Sequence, residues 1–103
     1  MSDMVQDVVG CKWMLQIIGC IRNDVKRPGA LTKHIEGLST KVLNERLLKL
    51  VRFGILQKQV YPEVPPRVEY EVTKLGSQFF PILDLISKLQ DELDHGKFSN
   101  TSI

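Results

Sequence analysis

A run of alternating residues on either side of a proline cluster restricts the fold of this 103-residue chain more tightly than any other feature. Leu56 and Val60 alternate with Gln57 and Gln59, while Val68, Tyr70 and Val72 alternate with Glu69, Glu71 and Thr73. A period of two marks half-buried strands, so the pattern predicts a β-hairpin. Its connection is Pro62-Glu63-Val64-Pro65-Pro66, where the fixed φ of each proline predicts a stiff, extended tip.

The remaining sequence has helical periodicity. From about Met4 to Arg22 it reads as one helix, apolar on more than one side through Val5, Val8, Val9, Trp13, Leu15, Ile17, Ile18 and Ile21. So little polar surface requires cover all round. Gly19 within it costs about 1 kcal/mol against Ala, which suggests close packing there. Pro28 suits the first turn of a second helix, where its missing N–H costs nothing, and Gly37 stops that helix after about Glu36. Ser39 offers an N-cap to a third, whose stripe of Val42, Leu43, Leu47 and Leu50 ends at Gly54. Two helices joined by a short glycine-containing turn make a helix-turn-helix unit, with the second as recognition helix. Thr73 can cap a last helix, along which Leu75, Phe79, Ile82, Ile86, Leu89 and Leu93 recur at spacings of three and four as an a/d seam. Pro81 should kink this helix or mark a local start. The order helix, helix, helix, strand, strand, helix is that of a mainly α (α+β) winged helix-turn-helix with an extra helix at each end. It occupies residues 1–103 as one domain, with a frayed polar tail from about residue 97.

Composition and charge narrow the function. Hydrophobic residues at 43% and charged ones at 25% are those of an ordinary globular chain. A chain this short buries only about 60–65% of its unfolded surface, so a partner subunit would be a natural supplement. The Val8 to Ile21 stretch is too short to span a bilayer, and Asp3 and Asp7 precede it where a signal peptide needs positive charge. No membrane association is therefore expected, and two cysteines without an export signal point to reduced thiols in the cytoplasm. Net charge is +2, unevenly spread. Residues 22–61 carry nine Lys and Arg against three acids, whereas residues 62–103 carry four against seven. A basic middle suggests a phosphate-rich partner, the alternative being a solvated face of mixed charge.

Several separated motifs resemble, in order, those of the HxlR-type winged-helix transcriptional regulators. Gly10-Cys11-Lys12-Trp13 is similar to that family's Gly-Gly-Lys-Trp signature, and Gly37-Leu38-Ser39-Thr40-Lys41-Val42-Leu43 to its lead into the recognition helix. Glu45-Arg46-Leu47, the segment from Tyr61 to Tyr70 and Thr73-Lys74-Leu75-Gly76 continue the resemblance, which covers roughly residues 5–95. It implies a homodimeric regulator of double-stranded DNA whose end helices form the dimer contact. Trp13 and Ile17 would contribute from the first helix, and Phe79, Ile82, Ile86, Leu89 and Leu93 from the last. Three departures stand out. Cys11 replaces the second glycine, Pro28 follows Arg27 where an aromatic residue is usual, and the chain starts after the N-terminal cysteine of redox-sensing members. The last departure argues against thiol sensing from that position.

Thr40, Lys41, Asn44 and Glu45 lie opposite the apolar stripe of the recognition helix, where side chains can reach base edges. Asn pairs bidentately with adenine, and Lys reaches guanine acceptors or phosphate. The amides that follow Ser39 favour a phosphate at the helix start. Arg67, at the wing base, can reach a phosphate or a minor groove, or else pair with Glu69 or Glu63. Arg46 lies at the stripe's edge and can brace the fold instead. Lys33 and Arg27 are placed for backbone contacts or for plain solvation. Cys11 and Cys20, nine residues apart on one helix, would be on opposite faces with about 13.5 Å of rise between them, too far for a disulfide. Such thiols are usually inert small hydrophobes, although Cys11 could react across a dimer interface. His34 and His95 are isolated and show no metal-ligand spacing. No phosphate loop, nucleophile elbow or spaced acid pair supports catalysis, and no cofactor is implied. The expected activity is transcriptional regulation through a near-palindromic operator, with a small-molecule or redox effector left open. The alternative is a winged-helix module that binds protein and touches nucleic acid only weakly.

Overall fold

Gly76 sits so close to the preceding turn that a Cβ there would lie 2.3 Å from the Ile55 carbonyl oxygen and 2.8 Å from Val72 Cγ1. That approach ties the end of the hairpin to the start of the last helix. The computed structural model describes residues 2–10 and 13–95. Its helices are α1 (Ser2–Gly10), α2 (Met14–Arg22), α3 (Pro28–His34), α4 (Thr40–Arg52) and α5 (Phe80–Asp94). The strands β1 (Leu56–Tyr61) and β2 (Arg67–Val72) lie between α4 and α5, and a 3-10 turn (Gly76–Phe79) leads into α5.

The strands pair antiparallel as the hairpin that the alternation predicts, and the structure supplies the register: Leu56 lies opposite Val72 and Tyr61 opposite Arg67. Alternation does not bury Val60, however, because its end of the hairpin projects beyond the core and leaves it exposed. On the other edge of β2, the Tyr70 amide donates to the Lys26 carbonyl at 3.0 Å, which fastens the α2–α3 loop to the hairpin. Lys26 Nζ reinforces this through Glu71 of β2 at 2.8 Å, and Asp24 of the same loop lies 3.2 Å from it.

The single helix expected from Met4 to Arg22 is in fact two, Met4–Gly10 and Met14–Arg22 crossing at 84°. The bend has a packing reason. α2 runs through the centre of the molecule and buries Met14, Ile17, Ile18 and Ile21 against the other elements. α1 turns back so that Val8 joins the same cluster with no exposed surface. A straight extension would have carried Val8 away along the helix axis at 1.5 Å per residue. Cys11 and Lys12 lie outside the described residues, as does the tail from residue 96. The separation of Cys11 and Cys20 calculated for one straight helix thus involves a residue outside those described. No single helix among the described residues is long and apolar enough to cross a membrane.

The buried residues make one cluster, built from α1 to α4, Ile55, Leu56, Tyr70 and Phe79. Thr73 caps the turn that leads into the 3-10 segment and not α5 itself, whose N-cap is Phe79 without a side-chain bond: Thr73 Oγ1 accepts the Gly76 amide at 3.0 Å and lies 3.1 Å from the Ile55 carbonyl. Pro81 occupies the first turn of α5 and marks its start without kinking it. α5 buries no residue fully; Phe80, Ile82 and Leu83 pack against the core, and Arg22 grips it through Asp84 at 2.7 Å. The result is elongated, with extents of 56 × 31 × 22 Å and a radius of gyration of 15.6 Å against about 13 Å for a compact chain of this length. The architecture is a winged helix-turn-helix with one added helical segment at each end.

Candidate nucleic-acid interface

The turn between α3 and α4 passes through Gly37 at φ +85°, a conformation that L side chains rarely adopt, and the Trp13 ring packs beneath it. Ser39 follows in an extended conformation and its Oγ accepts the Val42 amide at 3.1 Å. This cap starts α4 cleanly and fixes its rotation. Leu43, Leu47 and Leu50 then face the core. At 100° per residue these three lie about 180–240° from Lys41. The opposite face carries Thr40, Lys41, Asn44, Glu45, Leu48 and Arg52, all exposed. Leu48 and Arg52 fall about 20° to either side of Lys41, with Asn44 and Glu45 flanking them.

The hairpin extends this face. Lys58 stands opposite Tyr70 across the two strands, on the same side of the sheet. Asn44, Leu48, Val51, Lys58 and Tyr70 together line a shallow groove of about 300 Å³. Among the described residues, Lys33, Lys41, Arg52 and Lys58 have no carboxylate within ion-pair distance. Their charge is therefore available to a partner.

Two other cations, Arg67 on β2 and Arg27 in the α2–α3 loop, are engaged within the protein. Arg67 stacks 4.0 Å from the centre of the Tyr61 ring, with Nη2 3.4 Å from Glu63 and Nε 3.6 Å from Glu69. Arg27 also reaches Glu69, at 3.4 Å. Of the two readings open for Arg67, the structure shows the ion-paired one. Arg46 is half-buried at the edge of the α4 stripe, and its enclosed Nε has no hydrogen-bond partner among the described residues.

The structure also separates the residues expected at a dimer contact. Ile17 is fully buried and Phe79 nearly so in the chain's own core, Trp13 is half-buried against the same cluster, and Ile82 partly so. Ile17 and Phe79 thus have no surface to offer a second copy, because α2 and the 3-10 turn lie inside the fold. Ile86, Leu89 and Leu93 remain exposed, joined by Leu85 on α5 and by Val5 and Val9 on α1. Leu85, Val5 and Val9 were not assigned from sequence, nor were Leu48, Arg52 and Lys58. A helical wheel drawn from Lys41 would have found Leu48 and Arg52, but Lys58 needs the strand register.

Other candidate chemistry is sparse. Cys20 is half-buried beside a groove of about 550 Å³ that also includes Gln16, Asn23, His34 and Glu36. Burial pushes its thiol pKa upward, which disfavours the reactive thiolate. His34 Nδ1 lies 3.1 Å from the Ala30 carbonyl and His95 Nδ1 2.8 Å from the Asp91 carbonyl, so both rings close the last turns of their helices. No group of three or more potential metal ligands occurs among the described residues.

Comparison with known proteins agrees with this architecture. The chain is 39% identical over 85 residues to an uncharacterised HTH-type transcriptional regulator of Synechocystis sp., covering 82% of this chain and 63% of that protein. It spans 60% of a second such relative, from Methanothermobacter thermautotrophicus, so less than two thirds of either is represented. It is 35% identical to the HTH-type regulator YvaP of Bacillus subtilis, covering 84% of this chain and 80% of the other. Among solved structures, a transcriptional regulator of Porphyromonas gingivalis W83, described as of the MarR family, superposes with a TM-score of 0.76 at 38% identity, covering 88% and 89% of the two chains. A family profile described as HxlR-like helix-turn-helix matches residues 8–97, and the chain belongs to that family of transcriptional regulators.

Proposed function

We propose that this protein is a transcriptional regulator that binds a near-palindromic DNA site as a homodimer, with α4 in the major groove and the hairpin beside it. The observation that carries the reading is the outward face of α4. It combines unpaired cations with hydrogen-bonding side chains over a rigid, buried stripe. In this role Asn44 pairs with a base edge, Glu45 accepts from a cytosine amine or packs beside it, and Lys41 contacts guanine or phosphate. The start of α4 at Ser39 and Thr40 receives a phosphate. Lys33, Arg52 and Lys58 supply further backbone contacts. Arg27 and Arg67 join them by exchanging Glu69 and Glu63 for phosphate, and Arg46 braces α4 from within. Two copies joined through α5 and α1 would present two recognition helices about one DNA turn apart.

Titration of a random duplex at several salt concentrations tests the electrostatic part. Neutralising four to six phosphates per dimer gives log K a slope of roughly −4 to −5 against log salt. Lys41→Ala should weaken binding to every duplex and flatten that slope. Asn44→Ala should relax preference at one base position by about 1–3 kcal/mol. A flat salt response in the native protein would favour a protein-binding module instead.

A further inference from the structure

We propose that Leu48 reads thymine, its side chain packing against the C5 methyl group of that base in the major groove. The inference rests on the DNA-binding reading above and adds to it a residue that sets sequence preference. Leu48 is 54% exposed and stands on the outward face of α4, about 100–160° from the three core leucines and on the side that faces the hairpin. A lone exposed leucine needs no explanation by itself. Here its neighbours restrict what can cover it. Lys41 and Arg52 lie along the same line of the helix, and Lys58 borders the groove that Leu48 shares with Asn44. None of the three has a carboxylate within ion-pair distance among the described residues. An apolar protein segment laid over Leu48 would have to leave those cations uncompensated or bring acids of its own. Duplex DNA brings a phosphate for each cation, and only thymine among the bases presents a methyl group in the major groove.

The spacing fits a helix lying in that groove. Lys41 and Leu48 are seven residues apart, a rise of about 10.5 Å, which matches about three base steps of roughly 3.4 Å. Asn44 lies about 6 Å before Leu48 along the axis. The methyl-bearing base is therefore expected about two steps from the base that Asn44 contacts, once in each half-site.

Selection of the full-length chain against a random duplex library, followed by sequencing, would define a preferred site. Each preferred thymine is then replaced by deoxyuridine, which removes the methyl and nothing else, and affinity is read by fluorescence anisotropy. At one position per half-site the native protein should bind about fourfold more weakly, the equivalent of ~0.8 kcal/mol for one buried methyl. Leu48→Ala should bind the thymine and deoxyuridine duplexes equally and lose the thymine preference in a repeated selection. Its thermal unfolding should stay cooperative with a midpoint lowered by only a few degrees, since about half of the side chain is already exposed. If the native protein selects a site yet no deoxyuridine weakens it, or if Leu48→Ala keeps the methyl preference, the assignment of Leu48 is overturned while DNA binding stands. Failure of the native protein to enrich or bind any duplex would overturn both.

Discussion

Replacing Ile86 and Leu89 by Asp should separate the proposed dimer without unfolding the protomer, and the size of the effect can be worked out from exposure. Leu85, Ile86, Leu89 and Leu93 are 56%, 48%, 46% and 53% exposed, so about half of each side chain still awaits cover. Full burial of a Leu or Ile side chain stabilises by about 1.5–3 kcal/mol, which leaves roughly 1 kcal/mol for each remaining half. Substituting two positions on both copies therefore removes about 4 kcal/mol of association free energy, close to a thousandfold in Kd. Desolvation of four new carboxylates adds to that loss. A dimer with a Kd of about 1 μM would become monomeric at any practical concentration. Sedimentation velocity at tens of micromolar should show the native protein as a dimer and the double variant as a monomer or an aggregate. The variant should still unfold cooperatively, with a denaturant midpoint lowered by the loss of the covered half of each side chain, about 2 kcal/mol in all, and of the dimer contact. Site-specific DNA binding should be lost with the dimer, although α4 is untouched. A native protein that sediments as a monomer with full operator affinity would refute this reasoning, as would a double variant that stays dimeric.

Four further outcomes follow from the geometry. Gly76→Ala places a methyl group 2.3 Å from the Ile55 carbonyl oxygen, which is backbone and cannot swing aside, so urea unfolding should show a loss of about 2–3 kcal/mol. Ser39→Ala removes the acceptor for the Val42 amide and should cost about 1 kcal/mol, with Ser39→Gly milder. Stability should fall in alkali for linked reasons. Glu71 and Asp24 raise the pKa of Lys26 by holding its charged form, while burial raises those of Cys20 and Tyr70 by disfavouring their anions. In each case the folded state holds its proton more tightly than the unfolded chain. The contribution is therefore complete below the ordinary pKa and is lost as pH rises through the folded value. Denaturant midpoints should fall as pH climbs above about 9, the ordinary range of thiols and amines. Alkylation of Cys20 at pH 8 should be slower in the folded protein than in urea, and equal rates would contradict the shielding of its thiol.

What the sequence determined by itself was local. Period-two alternation marked the hairpin, Ser39 and Gly54 bounded the recognition helix, and spacings of three and four marked the stripes of α4 and α5. These signals survive because caps, turns and side-chain periodicity act over a few residues. The family's motifs were legible for the same reason, being short runs at those boundaries. Tertiary structure decided which apolar surface meets which. Periodicity shows that a helix has an oily face but not whether the chain's own core or another surface covers it. Ile17 and Phe79 therefore read like Ile86 and Leu89 in the sequence, yet only the first pair is buried. The break after Gly10 belongs to the same class, since it exists so that Val8 can reach a core assembled from distant elements. The availability of the cations was likewise set by folding. Glu69 engages both Arg27 and Arg67 because the α2–α3 loop closes on β2, while Lys41, Arg52 and Lys58 have no ion-pair partner among the described residues. Charge count came from the sequence; charge that can meet a phosphate depends on which carboxylates the fold brings within about 4 Å.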